Sequence, residues 1–411
     1  MPKIKRIGGI ILSVLTIVAP VGFFSQVHAD TDLKFSDFVK EVRVGGDYRL
    51  RYDNQTFRDE PSIGQTALGE KYRERFRMRL RIGAEFILPK DFGAKFRLAS
   101  GTGEQGSTNQ TFTNDSSQKQ IWIDLANAYW KPFDSVKITG GRMELPLWWQ
   151  ASSDLNWDPD YNPEGLAENF NTLIGDKVNI FANAMQIMIN ENVPVGADAK
   201  ADQKEFSEQV GIEFRLPLES RLKLAYAYHD FQNISLSTMS ATSAGAGVVQ
   251  EGNSWGNNGL LNNYGVSEVQ GELSGWVGKL PLSLQGTFIQ NNRAKPNPLV
   301  SNEKRNTGYQ TGFILGKAKE EQSFEAAYFY KYLGADSTPA DIADSDFGDG
   351  GTNRFGHIVW VAYNPTTWLQ IKTKYWMTKN VDDSFALGTK VASNQRKGDI
   401  NRIMVDAMVK F

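Results

Sequence analysis

The chain has 411 residues, with 45 Lys and Arg against 47 Asp and Glu, and no cysteine. A formal net charge of −2 is too balanced for a dedicated nucleic-acid binder. Without Cys there are no disulfides, thiolate metal sites or Cys nucleophiles, so an exported form must be held by its core or by closure of a sheet.

The N-terminus reads as a secretory signal. Lys3, Lys5 and Arg6 make a basic n-region, Ile10 to Phe24 is an apolar h-region interrupted by Pro20, and Val27-His28-Ala29 is a cleavage site. Residues 1–29 are therefore expected to be removed, leaving 30–411 to carry the fold. Losing Lys3, Lys5 and Arg6 leaves 42 Lys and Arg against 47 Asp and Glu, a net charge of −5. No long apolar run remains, and the mean hydropathy of the whole chain is −0.41. A spanning helix is thereby excluded from the mature part, but a spanning strand needs only about 9–11 residues with alternate ones apolar.

Thr31 to Glu41 is a short lead-in, with Phe35, Phe38, Val39 and Val42 at helical spacing. The first strand is expected at Val42 to Tyr52, with Val44, Tyr48 and Leu50 on one face and Arg43, Asp47, Arg49 and Arg51 on the other. A polar loop, Asp53 to Glu70, precedes the clearest stretch of the chain, Lys71 to Leu88. There Arg73, Arg75, Arg77, Arg79 and Arg81 share one face, while Phe76, Met78, Leu80, Ile82, Ala84 and Phe86 share the other. A soluble sandwich, a nucleic-acid surface and an outer-membrane barrel could each host such a strand. After a turn at Pro89-Lys90-Asp91, Phe92 to Ser100 sends Lys95 and Arg97 to its polar face. Strands at Gln120 to Trp130 and Val136 to Glu144 follow.

Short turns and long polar loops then alternate to the C-terminus. Turns are expected near Ile174 to Lys177, Pro217 to Glu219, Lys279 to Pro281, Lys317 to Gln322 and Asn364 to Thr366. Loops are expected at Asn233 to Asn263, Asn291 to Lys304, Gly334 to Thr352 and Lys379 to Asp399. Short periplasmic turns with long extracellular loops are the habit of outer-membrane barrels. Aromatic clusters such as Tyr328, Tyr330 and Tyr332 suit interfacial girdles. The last strand, Ile400 to Phe411, alternates and stops on phenylalanine, which resembles the assembly signal of such barrels. The arginine face must then line the lumen, because Arg on the lipid side costs about 2–4 kcal/mol near the midplane. With both termini on one side the strand count must be even. Glu164 to Thr172 and Val178 to Ile189 supply the pair that parity requires, giving an all-β antiparallel barrel of about 16 strands, with 14 as the alternative count.

One loop differs from the rest. Glu144 to Glu164, ELPLWWQASSDLNWDPDYNPE, holds Trp148, Trp149, Trp157 and Tyr161, together with Glu144, Asp154, Asp158, Asp160 and Glu164. Aromatic rings in a loop need a surface to pack on, and in a barrel the dry surface is the inner wall. The words GRMELPLW at Gly140 to Trp148 and SDLNWDPDYNPEGLA at Ser153 to Ala167, with the arginine strand and Phe411, resemble the bacterial "putative porin" family over essentially the whole mature chain. The resemblance implies a third loop, 145–163, folded into the lumen. It also implies constriction acids (Glu144, Asp154, Asp158, Asp160, Glu164) facing a basic wall (Arg49, Arg73, Arg75, Arg77, Arg79, Arg81, Arg97). The expected function is passive diffusion of small hydrophilic solutes and ions across a Gram-negative outer membrane. The alternatives are a selective channel for an anionic solute, or a non-conducting barrel acting as adhesin, enzyme or partner sheath. Membrane lipids, lipopolysaccharide and a homotrimer are the partners it implies, with no nucleic acid, cofactor or metal. His229 and His357 read as ordinary strand residues. Asp341 to Gly350 resembles a calcium loop only loosely, since Gly348 falls where a ligand is expected, and it reads as a solvated acidic loop.

Overall fold

The computed structural model describes residues 38–58, 70–150, 154–192, 201–234, 252–256, 259–297, 302–382 and 399–411. The signal peptide, the lead-in up to residue 37, and most of the loops at 233–263 and 379–399 lie outside these residues.

Strand alternation builds the molecule. β1 (Glu41–Arg58), β2 (Glu70–Ile87), β3 (Phe92–Ser100), β4 (Ile121–Phe133), β5 (Val136–Arg142), β6 (Glu164–Ile174), β7 (Val178–Asn190) and β8 (Gln203–Arg215) form the first half. β9 (Arg221–Gln232), β10 (Tyr264–Val277), β11 (Leu280–Asn291), β12 (Thr307–Gly316), β13 (Ser323–Leu333), β14 (Arg354–Asn364), β15 (Leu369–Asn380) and β16 (Ile400–Lys410) form the second. Each strand pairs antiparallel with its neighbours in sequence, and β1 also pairs with β16 from Asp47↔Lys410 to Phe57↔Ile400. The result is a closed 16-stranded antiparallel barrel. The sheet counts 17 strands only because the two-residue strand Gln110–Thr111 adds to β2. Closure pairs every strand edge, which a membrane demands because lipid offers no hydrogen bonds.

Side chains sort by parity. Val44, Tyr48, Phe76, Ile82, Phe96, Trp130, Val210, Val269, Phe288 and Val361 are exposed on the outside, while Asp47, Arg51, Asp53, Arg79, Gln209, Gln270, Lys331 and Arg402 are buried within. A water-soluble protein reverses this distribution; an apolar belt over a polar lumen suits lipid. Phe411 closes the ring, with hydrogen bonds in both directions to Gly46 at 2.9 and 3.1 Å. A Cβ at Gly46 would stand 2.2 Å from the Arg81 carbonyl oxygen and 2.9 Å from the Phe411 ring, so only glycine fits at this seam.

Several strand boundaries differ from the sequence reading. β1 continues to Arg58, taking in the start of the expected loop 53–70, because Asp53, Gln55 and Phe57 extend its buried inward row. β5 ends at Arg142, short of Glu144.

Candidate functional site

The register of β1 on β2 sets Arg49 directly opposite Arg79 and Arg51 opposite Arg77. Like charges in cross-strand pairs repel, and aspartates threaded among them compensate. Asp47 binds Arg79 and Arg81, each at 2.7 Å. Asp406 receives Arg51 through two hydrogen bonds of 2.7 and 2.8 Å and lies 3.9 Å from Arg49. Asp53 binds Arg75, and also Arg402 at 2.9 Å; Asp124 binds Arg97 at 2.5 Å. Arg49 also donates to the Asn109 side-chain oxygen at 2.7 Å, and Arg77 to Ser107 Oγ at 3.2 Å. Arg73 pairs in register with Gln55. The arginine row is thus a charge lattice, largely neutralised by fixed acids.

Segment 143–163 touches inward side chains on several strands. The Trp148 backbone N–H donates to Gln209 Oε1 of β8 at 2.8 Å. Gln150 Nε2 donates to the carbonyls of Gly271 (2.5 Å, β10) and Gly286 (3.2 Å, β11). The Trp157 ring meets His229 edge-on at 5.5 Å and lies 6.1 Å from Phe231, both on β9. Met143, Leu147, Leu155 and Trp157 join Met185, Phe231, Val266, Ile289 and Leu333 in one apolar cluster. Trp157 and Tyr161 have therefore found the apolar surface that rings in a loop call for.

The acids of this segment divide. Asp160 stands 3.7 Å from Arg79 and accepts from the Thr108 backbone N–H and Oγ1 at 3.2 and 3.1 Å. Burial pushes its carboxyl up, but Arg79, Arg49 and Arg81 outweigh that and hold it below the usual range. Glu144 bridges Lys95 and Arg97, each at 3.1 Å, and these cations likewise overcome burial to lower its pKa. Asp154 is not on the arginine wall. It pairs with the fully buried Lys331 at 2.8 Å, and against the upward push of burial Lys331, with Lys374, keeps its carboxyl low. Asp158 has no cation within ion-pair distance among the described residues and accepts instead from the backbone N–H groups of Asp160 and Ser345, both at 2.8 Å. Burial, followed by the neighbouring Asp160 and Asp344, raises its pKa well above the ordinary value. Glu164 pairs with Arg142 at 2.8 Å. Of the five expected acids, only Glu144 and Asp160 reach the expected arginines.

The acidic loop 341–350 overturns its reading as solvated. Asp344 is buried beside Lys331 at 3.4 Å; Asp346 meets Arg51 at 3.4 Å and Arg402 at 3.2 Å; Asp349 pairs with Arg354. Phe347 is fully buried with Lys331 Nζ 4.7 Å from its ring centre, and the Asp158 N–H donates to the Ile342 carbonyl at 2.7 Å. Cations on distant strands needed these carboxylates. Phe347 inside an acidic run was the signal that sequence reading passed over. No group of three or more His, Cys, Asp or Glu side chains is placed to hold a metal ion among the described residues.

His229 is more than an ordinary strand residue. It is fully buried, with Nε2 2.9 Å from Glu268, and Nδ1 2.5 Å from Ser207 Oγ and 3.6 Å from Glu205. The residue types are those of a hydrolase triad, but Ser207 is 1% exposed and already donates to Glu205. A nucleophile must reach a substrate, and this one cannot. The cluster braces the wall behind Trp157.

A family model described as "Putative porin" matches residues 65–258 and 276–411, about four-fifths of the chain. The chain belongs to this porin family. No curated protein matches it. Membership and the closed barrel make this porin a channel-type protein of the outer membrane and not an enzyme. Its exposed apolar exterior is the surface that lipid covers.

Proposed function

We propose that this porin lets small hydrophilic solutes and ions diffuse passively, through a lumen narrowed by segment 143–163 against the arginine face of β1, β2 and β3. The observation that carries the reading is a cavity of about 550 Å³ that Asp158 and Asp160 of this segment line together with Arg49, Arg51, Arg79 and Arg81 of the wall. Opposed charges across a narrow aqueous gap between low-dielectric walls set up a strong transverse field. Polar solutes align in such a field, while apolar ones must strip ordered water.

The short connections, such as 134–135 and 175–177, would face the periplasm, and long ones such as 101–120 and 143–163 the exterior. Export would use residues 1–29. Lipopolysaccharide would meet the outer part of the apolar belt, and a homotrimer rests on the family resemblance alone.

The chain has no cysteine, so a single introduced thiol gives a clean readout. In planar bilayers, Asp160→Cys pores are expected to lose conductance in discrete steps when a charged methanethiosulfonate is added, with unsubstituted pores unaffected. An Asp160→Cys pore that is labelled and conducts as before would remove segment 143–163 from the constriction.

A further inference from the structure

The cavity of about 550 Å³ between segments 143–163 and 334–353 and the wall of β1, β2, β15 and β16 holds cations of two kinds. Its arginines are engaged: Arg51 by Asp406 and Asp346, Arg79 and Arg81 by Asp47, and Arg49 by Asn109 and, at 3.9 Å, Asp406. Its lysines are not: Lys410 sits exposed at the end of β16, and the other two are Lys372 and Lys374. Both line the cavity from the inward face of β15, and among the described residues neither has a carboxylate within ion-pair distance or a side-chain hydrogen bond.

Aromatic rings hold them instead. Lys372 Nζ lies 4.6 Å from the Trp360 ring centre, and Lys374 Nζ lies 4.6 Å from that of Trp376 and 5.6 Å from that of Trp360. A ring face attracts and orients an ammonium but does not neutralise it. The nearby acids are committed elsewhere. Asp406 stands across from Lys372 in the β15–β16 register yet is bidentate on Arg51, and Glu325 accepts from Trp360 Nε1 at 2.7 Å. The arginine row, most conspicuous in the sequence, is thus the neutralised part of this lumen. The lysine pair, with Asp154, Asp344 and Asp346 near Lys374 but beyond ion-pair distance, carries positive charge that no direct partner cancels.

We propose that Lys372 and Lys374 form an anion subsite in the channel, fitted to small solutes bearing two oxyanion charges, such as dicarboxylates. This rests on the channel reading above. One dianion cancels both ammonium charges, whereas a monoanion leaves one standing beside low-dielectric walls. Lysine is a compact point charge without the planar fork of arginine, so the subsite selects by charge more than by shape. Asp158 and Asp344 line the same cavity and oppose the anion, which keeps residence short enough for passage.

The test uses the full folded chain in planar bilayers, with chloride carrying the current and succinate or acetate added. Succinate is expected to reduce the current at a several-fold lower concentration than acetate, and Lys372→Gln/Lys374→Gln to erase that difference while the pore still conducts. A conducting double variant that keeps the succinate preference overturns the subsite. Should the unsubstituted barrel be folded and silent, the channel reading fails, and the subsite is decided separately by calorimetry in detergent. Succinate binding that is lost in the double variant supports it. Absence of binding to the unsubstituted protein overturns it.

Discussion

Replacing Lys331 by methionine is expected to destabilise the barrel and widen its lumen together. Lys331 is fully buried, and its ammonium is shared by Asp154 at 2.8 Å and Asp344 at 3.4 Å. Asp154 belongs to segment 143–163, Asp344 to segment 334–353, and the Asp344 N–H also donates to the Asp154 carbonyl at 3.4 Å. One lysine on β13 therefore ties both segments to the wall. Lys331→Met fills the space but leaves two buried carboxylates without a cation, and breaking a buried pair this way costs about 3–5 kcal/mol. Thermal unfolding should shift to a lower temperature, and single-channel conductance should rise and grow noisier as the segments loosen. Removing the acids as well, with Asp154→Asn and Asp344→Asn, should recover much of the stability, since no buried charge is then stranded. Unchanged conductance and thermal stability in Lys331→Met would show that neither segment depends on this anchor.

The second large effect is expected at Asp47, which holds Arg79 and Arg81 at 2.7 Å each, where the register also brings Arg49 against Arg79. Asp47→Asn keeps the shape and removes the charge. The freed guanidinium charges then act on passing ions, and at roughly 8 Å in water each uncompensated charge is worth about 0.5 kcal/mol, near a twofold change in permeability ratio. The reversal potential in a salt gradient should move toward greater anion selectivity, and more strongly at low ionic strength, where screening is weaker. A reversal potential identical to that of the unsubstituted pore would mean that ions do not pass this part of the wall.

Period-two alternation made the barrel legible in the sequence. The arginine strand was read within one residue of its observed ends, and the parity argument that demanded a strand pair between residues 164 and 190 is met by β6 and β7. Alternation is local, so it survives translation into structure. Ion pairing is not local. Nothing near Asp154 in sequence indicates Lys331, 177 positions away, and nothing near Asp346 indicates Arg51, 295 positions away. The solvated reading of 341–350 failed for that reason, and the same blindness hid which aspartates, on β1 and β16, compensate the arginine row. Trp157 could be read as needing a dry partner, but the partner itself, the buried His229 and Phe231, depended on barrel closure. Lys372 and Lys374 drew no notice because their distinction lies in the partners they lack.

The most direct test of the account is single-channel conductance of the purified, refolded protein in a planar bilayer under a salt gradient. Stepwise, ohmic conductance is the expected result, with a reversal potential displaced from zero by the fixed charges of the lumen. A correctly folded barrel that stays silent would contradict it, because segments 143–163 and 334–353 would then seal the lumen instead of narrowing it.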